Sequence, residues 1–100
     1  MTKVIAFKKE DSYSLILKGH ATGSEKVCAA VSGIVYALEG FLNNFPECIK
    51  QKKSELKNGE AEFVFFGDER VYYPFMMAVI GLKQIEKSYP EYIRVKFLEK

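Results

Sequence analysis

The chain has no tryptophan, three prolines, two cysteines and a single histidine in 100 residues. Two cysteines do not make a disulfide framework. One histidine and two distant cysteines do not make a metal-ligand set, so no metal and no cofactor is expected. Net charge is low too: the formal value is +2, too little for nucleic-acid binding through bulk electrostatics, which needs a clustered basic face. The one basic cluster, Lys50, Lys52, Lys53 and Lys57, is interleaved with Glu47 and Glu55. It reads as a solvated surface, with an RNA or acidic-partner patch as the alternative. No uninterrupted apolar run approaches the ~18 residues of a membrane span. The N-terminal stretch Met1–Lys9 turns charged too early for a signal-peptide core, and lipidation motifs are missing. The expected compartment is a reducing cytoplasm, where a thiol persists.

What is present is ordinary globular material. Hydrophobic residues make up 48% and charged residues 28%, with eight Phe and six Tyr to fill a small core. A chain this long supports one core and hence one domain, residues 1–100. Residues 2–9 and 12–19 alternate as two strands around the polar turn Glu10-Asp11-Ser12. From Glu25 the period becomes helical, with Val27, Val31, Ile34, Val35, Leu38, Phe41, Leu42 and Phe45 on one face. Ser24 is the expected N-cap, and Asn43-Asn44 with Pro46 the stop. The Asn58-Gly59 pair predicts a type I′ hairpin between strands at about 48–54 and 60–66. Asp68 is placed to cap a second helix carrying Phe75, Met76, Val79, Ile80, Leu82 and Ile85, with Pro74 near its start and Pro90 beyond its end. Residues 92–98 alternate as a last strand. The resulting order, β-β-α-β-β-α-β, predicts an α+β domain with two helices packed on one mainly antiparallel sheet.

Two residues carry nucleophilic chemistry by type. His20 follows Gly19 at the end of a strand, and Cys28 lies eight positions later in the first turns of the long helix. Each has a plain structural reading: a solvated loop histidine, and a small core cysteine on an amphipathic helix. Helix-terminal geometry leaves room for a second one. The positive end of the macrodipole stabilises an anionic sulfur, a neighbouring imidazole takes the thiol proton, and helix-terminal N–H groups serve a developing oxyanion. Cys48 has no motif around it and reads as a strand residue.

The residues around both positions narrow the choice. Gly19-His20-Ala21, a loop, and then Val27-Cys28-Ala29-Ala30-Val31-Ser32 at the start of a long helix resemble the ribosomal-processing cysteine protease family. The resemblance extends through the Asn-Gly hairpin, the Met76–Glu86 helix and the closing Tyr89–Val95 segment. It implies His20 as general base and Cys28 as nucleophile. Ser32 matches the family serine one turn beyond the cysteine, Gly23 the loop glycine, and Glu25 stands where the family has Asp, as orienting or peptide-binding positions. The loop from Ala21 to Val27 is shorter than the family's usual loop, which covers the bound peptide; a shorter loop has less reach over a substrate.

The implied activity is a cysteine endopeptidase that removes a short N-terminal extension from a large-subunit ribosomal protein precursor, or that acts on a phage capsid or scaffold protein. The apolar and aromatic residues that precede the family's cut suit a groove lined by Tyr36 or by the aromatics at Tyr72 and Tyr73. A homodimer is the expected assembly, with no membrane and no direct nucleic-acid partner. The competing readings are a non-catalytic α+β module that binds a ribosomal or phage protein, and a small RNA-associated protein that uses its lysines.

Overall fold

The computed structural model describes residues 1–20 and 24–100. Among the described residues there are five strands and two α-helices: β1 (Thr2–Lys9), β2 (Ser12–Lys18), α1 (Glu25–Asn44), β3 (Ile49–Lys57), β4 (Glu60–Gly67), α2 (Tyr72–Ser88) and β5 (Ile93–Glu99). The strands form one sheet in the order β3-β4-β2-β1-β5. Every neighbouring pair is antiparallel except β1 with β5, whose parallel pairing requires the long crossover that α2 completes. The predicted element order and the mainly antiparallel sheet are both present.

The two-residue alternation of the strands makes one face of the sheet the core. Val4 and Ala6 of β1, Tyr13, Leu15 and Leu17 of β2, Phe63 and Phe65 of β4, and Ile93 of β5 are buried on that face. Both helices cover it. From α1 come Val27, Val31, Val35, Leu38 and Leu42, and from α2 Phe75, Ala78, Val79 and Leu82. The length and composition of α1 alone would let it cross a membrane, but this buried stripe makes it a core helix. At the centre Tyr13 stacks on Phe65 at 5.2 Å between ring centroids and meets Phe75 edge-on at 5.0 Å. Such pairs add to the burial of their large apolar areas. The opposite sheet face is open, with Ile5, Phe66 and Leu98 exposed.

Local chemistry explains most boundaries and several departures from expectation. Ser24 caps α1 as expected, its Oγ accepting from the Val27 N–H at 3.2 Å. The strand expected to run to residue 19 ends at Lys18, because Gly19 adopts φ +89° and leaves the extended region. Cys48 is not a strand residue; it ends a short 3₁₀ turn, Pro46–Cys48, and is buried there. The strand after it runs to Lys57, further than expected. Asp68 caps a second 3₁₀ turn, Glu69–Val71, rather than α2 itself, so Pro74 falls in the first turn of α2, where its missing N–H costs nothing.

The β3–β4 turn also departs from expectation. Gly59 has φ +76°, but Asn58 does not share a positive φ. A type I′ turn needs both, so the two-residue link between the paired Lys57 and Glu60 is of another kind. Only the glycine occupies the left-handed region, and that has consequences for the site.

Candidate active site

The end of β2 places His20. β2 is sandwiched between β1 and β4, with Leu17 opposite both Val4 and Ala61, and Lys18 opposite both Lys3 and Glu60. The residue after it is held from two sides. The Gly19 N–H donates to the Gly59 carbonyl at 2.8 Å, and the Gly19 carbonyl accepts from the Thr2 hydroxyl at 3.3 Å. Thr2 is itself 5% exposed, and its N–H donates to the Tyr92 carbonyl at 2.9 Å. His20 therefore leaves a fixed point, although its own side chain is exposed.

The start of α1 places Cys28. Its N–H makes the first intrahelical bond, to the Ser24 carbonyl at 3.2 Å, while the Val27 N–H is taken by the Ser24 side chain. These two amides are thus committed. Helix-terminal donors for an oxyanion narrow to Glu25 and Lys26, rather than the whole first turn. Val27 is 1% exposed and anchors this turn in the core, so Cys28 beside it is held half-buried at the surface of the domain.

His20 and Cys28 line the same open groove, of about 500 Å³, between the first half of α1 and the β3–β4 turn. Ser32 and Tyr36, one and two turns beyond Cys28, lie along the same wall. Leu17, Val31, Val35, Leu56 and Ala61 give it an apolar lining, and Lys57 and Glu60 place both signs of charge at the turn. The lining is therefore mixed, with apolar side chains set beside convergent polar groups. Glu25 sits exposed in the first turn of α1, outside that lining. Gly23 lies outside the described residues.

Two expectations about aromatics part ways. Tyr36 does line the groove, 64% exposed. Tyr72 and Tyr73 do not: Tyr72 lines a different cleft with Lys8 and Tyr13, and Tyr73 is 77% exposed. They begin α2, by the Asp68 turn at the other end of β4 from the Gly59 turn, so they cannot contribute a wall. Sequence reading predicted the Asn58-Gly59 turn but not its place in the groove. Leu56, Asn58 and Gly59 belong to the site because β4 pairs beside β2, which sets the β3–β4 turn next to the end of β2.

The lysine cluster falls on the edge strand β3, where charge guards an unpaired strand edge. Lys50 pairs with Asp11 at 3.0 Å, Lys57 with Glu55 at 2.7 Å, and Lys52 donates to Asn43. Two of the four lysines thus pair with carboxylates, and all four are exposed on a solvated surface. Among the described residues no group of three or more His, Cys, Asp or Glu side chains is placed to hold a metal.

Comparison with known proteins bears on this geometry. The family model for cysteine protease Prp matches residues 1–94. The chain belongs to the Prp cysteine protease family. It is accordingly a cysteine protease, a peptide-bond hydrolase, and the non-catalytic reading gives way. Solved structures share the fold. SMU.848 from Streptococcus mutans is 22% identical with a TM-score of 0.77, the alignment covering 100% of this chain and 96% of that one. The ribosomal processing protease Prp from S. aureus was solved with a covalently linked product peptide and with a substrate peptide. These two structures are 18% and 17% identical, each with a TM-score of 0.74 and coverage of 97% of this chain and 99% of that one. No curated protein matches the chain.

Proposed function

We propose that this Prp-family protease cuts a short N-terminal extension from a large-subunit ribosomal protein precursor, in the cytoplasm and as a homodimer, with Cys28 as nucleophile and His20 as general base. The observation that carries this is the shared groove: two residues from different elements, one at a strand end and one in the first turns of a helix, line one cleft of mixed polar and apolar character. The relative solved with substrate and product peptides is a ribosomal processing protease, which supports a peptide as occupant and a ribosomal precursor as its source.

In this reading the imidazole of His20 takes the Cys28 thiol proton as Sγ attacks the scissile carbonyl carbon. The resulting oxyanion is met by helix-terminal N–H groups. Collapse expels the amine, which takes the proton from His20, and leaves a thioester on Cys28. A water molecule, deprotonated by His20, then attacks the thioester and returns the free sulfur. Ser32 orients the peptide along the α1 wall, and Glu25 and Gly23 are further orienting positions.

The test incubates the wild-type protein and Cys28→Ala with a peptide spanning the extension of the precursor, and follows cleavage by mass spectrometry. Cleavage by wild type, lost in Cys28→Ala while peptide binding persists, is the expected result. Cleavage that survives in Cys28→Ala would remove the nucleophile assignment, and no cleavage of any ribosomal extension would remove the substrate.

A further inference from the structure

An exposed imidazole on a strand end has two freely rotating side-chain bonds, and a general base that wanders is a poor one. Helix α1 fixes Cys28 through its buried neighbours. For His20 the support comes from the β3–β4 turn. A Cβ placed on Gly59 would stand 3.0 Å from both the Cδ2 and the Cε1 of His20, and closer still to Nε2. The distal edge of the imidazole therefore rests directly on the bare Cα of Gly59. The same residue's carbonyl accepts the Gly19 N–H at 2.8 Å. Gly59 thus holds the backbone that leads into His20 with one group and supports the ring with another.

The turn's place beside His20 follows from strand pairing. Lys18 is in register with Glu60, and their side chains approach to 3.9 Å. The ladder that ends at this pair leaves Gly19 and Gly59 as the next residues on facing strands. Gly59 also has φ +76°, which turns its chain so that the carbonyl meets Gly19. A glycine here meets two separate requirements: a left-handed backbone, and the absence of a side chain under the ring.

We infer that Gly59 is a positioning residue for His20: the β3–β4 turn is the seat of the imidazole, and any side chain at position 59 displaces it from the groove. The inference that this matters for turnover rests on the protease reading above; the placement of the ring does not.

The test uses Gly59→Asn in the full chain, because Asn tolerates the left-handed backbone better than other side chains and so preserves the turn while adding a Cβ. His20 is the chain's single histidine, so its imidazole proton resonances are assigned without ambiguity. In the wild-type protein, nuclear Overhauser contacts between the His20 ring protons and the Gly59 Hα protons are expected. In Gly59→Asn those ring resonances shift, and kcat for the extension peptide falls roughly 10–100-fold with KM within about twofold. A residue needed only for the turn would lower the melting temperature and leave the folded protein's ring shifts and kcat in place. Absence of the wild-type contacts overturns the inference, as does a folded Gly59→Asn with unchanged ring shifts and kcat. If Gly59→Asn does not fold, the wild-type contacts decide. If the wild type cleaves no extension, that outcome falls on the substrate assignment, and the ring contacts and shifts still decide the positioning.

Discussion

The N–H of Gly19 donates to the carbonyl of Gly59 at 2.8 Å, joining the end of β2 to the turn between β3 and β4. A single backbone bond thereby connects the residue before His20 to the wall of the groove opposite Cys28. The first residues of the chain complete the arrangement, since the Thr2 hydroxyl donates to the Gly19 carbonyl at 3.3 Å. The strand end that leads into His20 is thus fixed by contacts from both sides.

Substitutions at this joint separate by mechanism. Gly19→Ala forces a β-carbon into the left-handed region and brings it within 2.5 Å of the Met1 carbonyl oxygen. The backbone penalty alone is about 1–2 kcal/mol, and the contact adds to it. Thr2→Val removes one partly buried hydrogen bond at constant shape, a loss of about 1 kcal/mol. Thermal melts are expected to show Gly19→Ala well below Thr2→Val, at roughly 4–8 °C for each kcal/mol in a domain of this size. Equal melting temperatures would contradict the strained role assigned to Gly19.

Much of this architecture was legible in the sequence, and what was not has a common cause. The spacing of Val27, Val31, Leu38 and Leu42 predicts α1, and Ser24 marks its start, because helix periodicity and capping are local. The alternation in Tyr13, Leu15 and Leu17 likewise predicts β2 and its buried face. His20 and Cys28 stood out by residue type and by the residues flanking them. Gly59 did not, since its place under His20 depends on β4 pairing beside β2, a contact between distant segments. The start of α2 was misplaced for a related reason. Asp68 is a good cap, but Arg70 and Glu47 draw it into a separate short turn, and only the folded contacts reveal that.

The core and the α2 surface differ sharply in expected sensitivity. Phe75 is fully buried between Tyr13, Phe65 and Phe97, whereas Met77 on the same helix is 73% exposed. Phe75→Ala leaves a large cavity and is expected to cost about 3–5 kcal/mol. Met77→Ala is expected to stay within about 0.5 kcal/mol of wild type. Urea titration of the two variants is the direct check, and a large loss in Met77→Ala would mean that this helix face is covered in solution.

Asp68 gives a pH-dependent prediction. The Arg70 guanidinium donates to its carboxylate, at 2.6 Å for the closest pair, and the Arg70 N–H donates to it as well. These bonds lower its pKa below the ordinary 3.8 and raise that of Arg70. A carboxyl whose folded pKa is depressed stabilises the native state at pH values above its unfolded pKa. That contribution fades as pH falls through the lower folded value. Asp68→Asn keeps a capping side chain and removes the charge. Its urea midpoint is expected to lie below that of wild type near neutrality, and the gap to close well below pH 3.8. The pair is solvent-exposed, so the gap is small and shrinks in high salt. A gap that widened on acidification would reverse the sign and exclude the ion pair as its source.

Leu56 tests the groove without touching the proposed catalytic pair. It lies near the end of β3, opposite Ala61 across the strand pair, and is 36% exposed at the groove wall. Its side chain contributes little to the folded core, so Leu56→Ala is expected to change stability only slightly. An apolar peptide side chain seated there loses about 1–2 kcal/mol of contact in the variant. That corresponds to roughly a 5–30-fold rise in KM. Because the contact is made equally in the ground and transition states, kcat is expected to hold. Steady-state kinetics on the extension peptide separates the two parameters. A fall in kcat at constant KM would instead move Leu56 into the support of His20, through the same turn that carries Gly59.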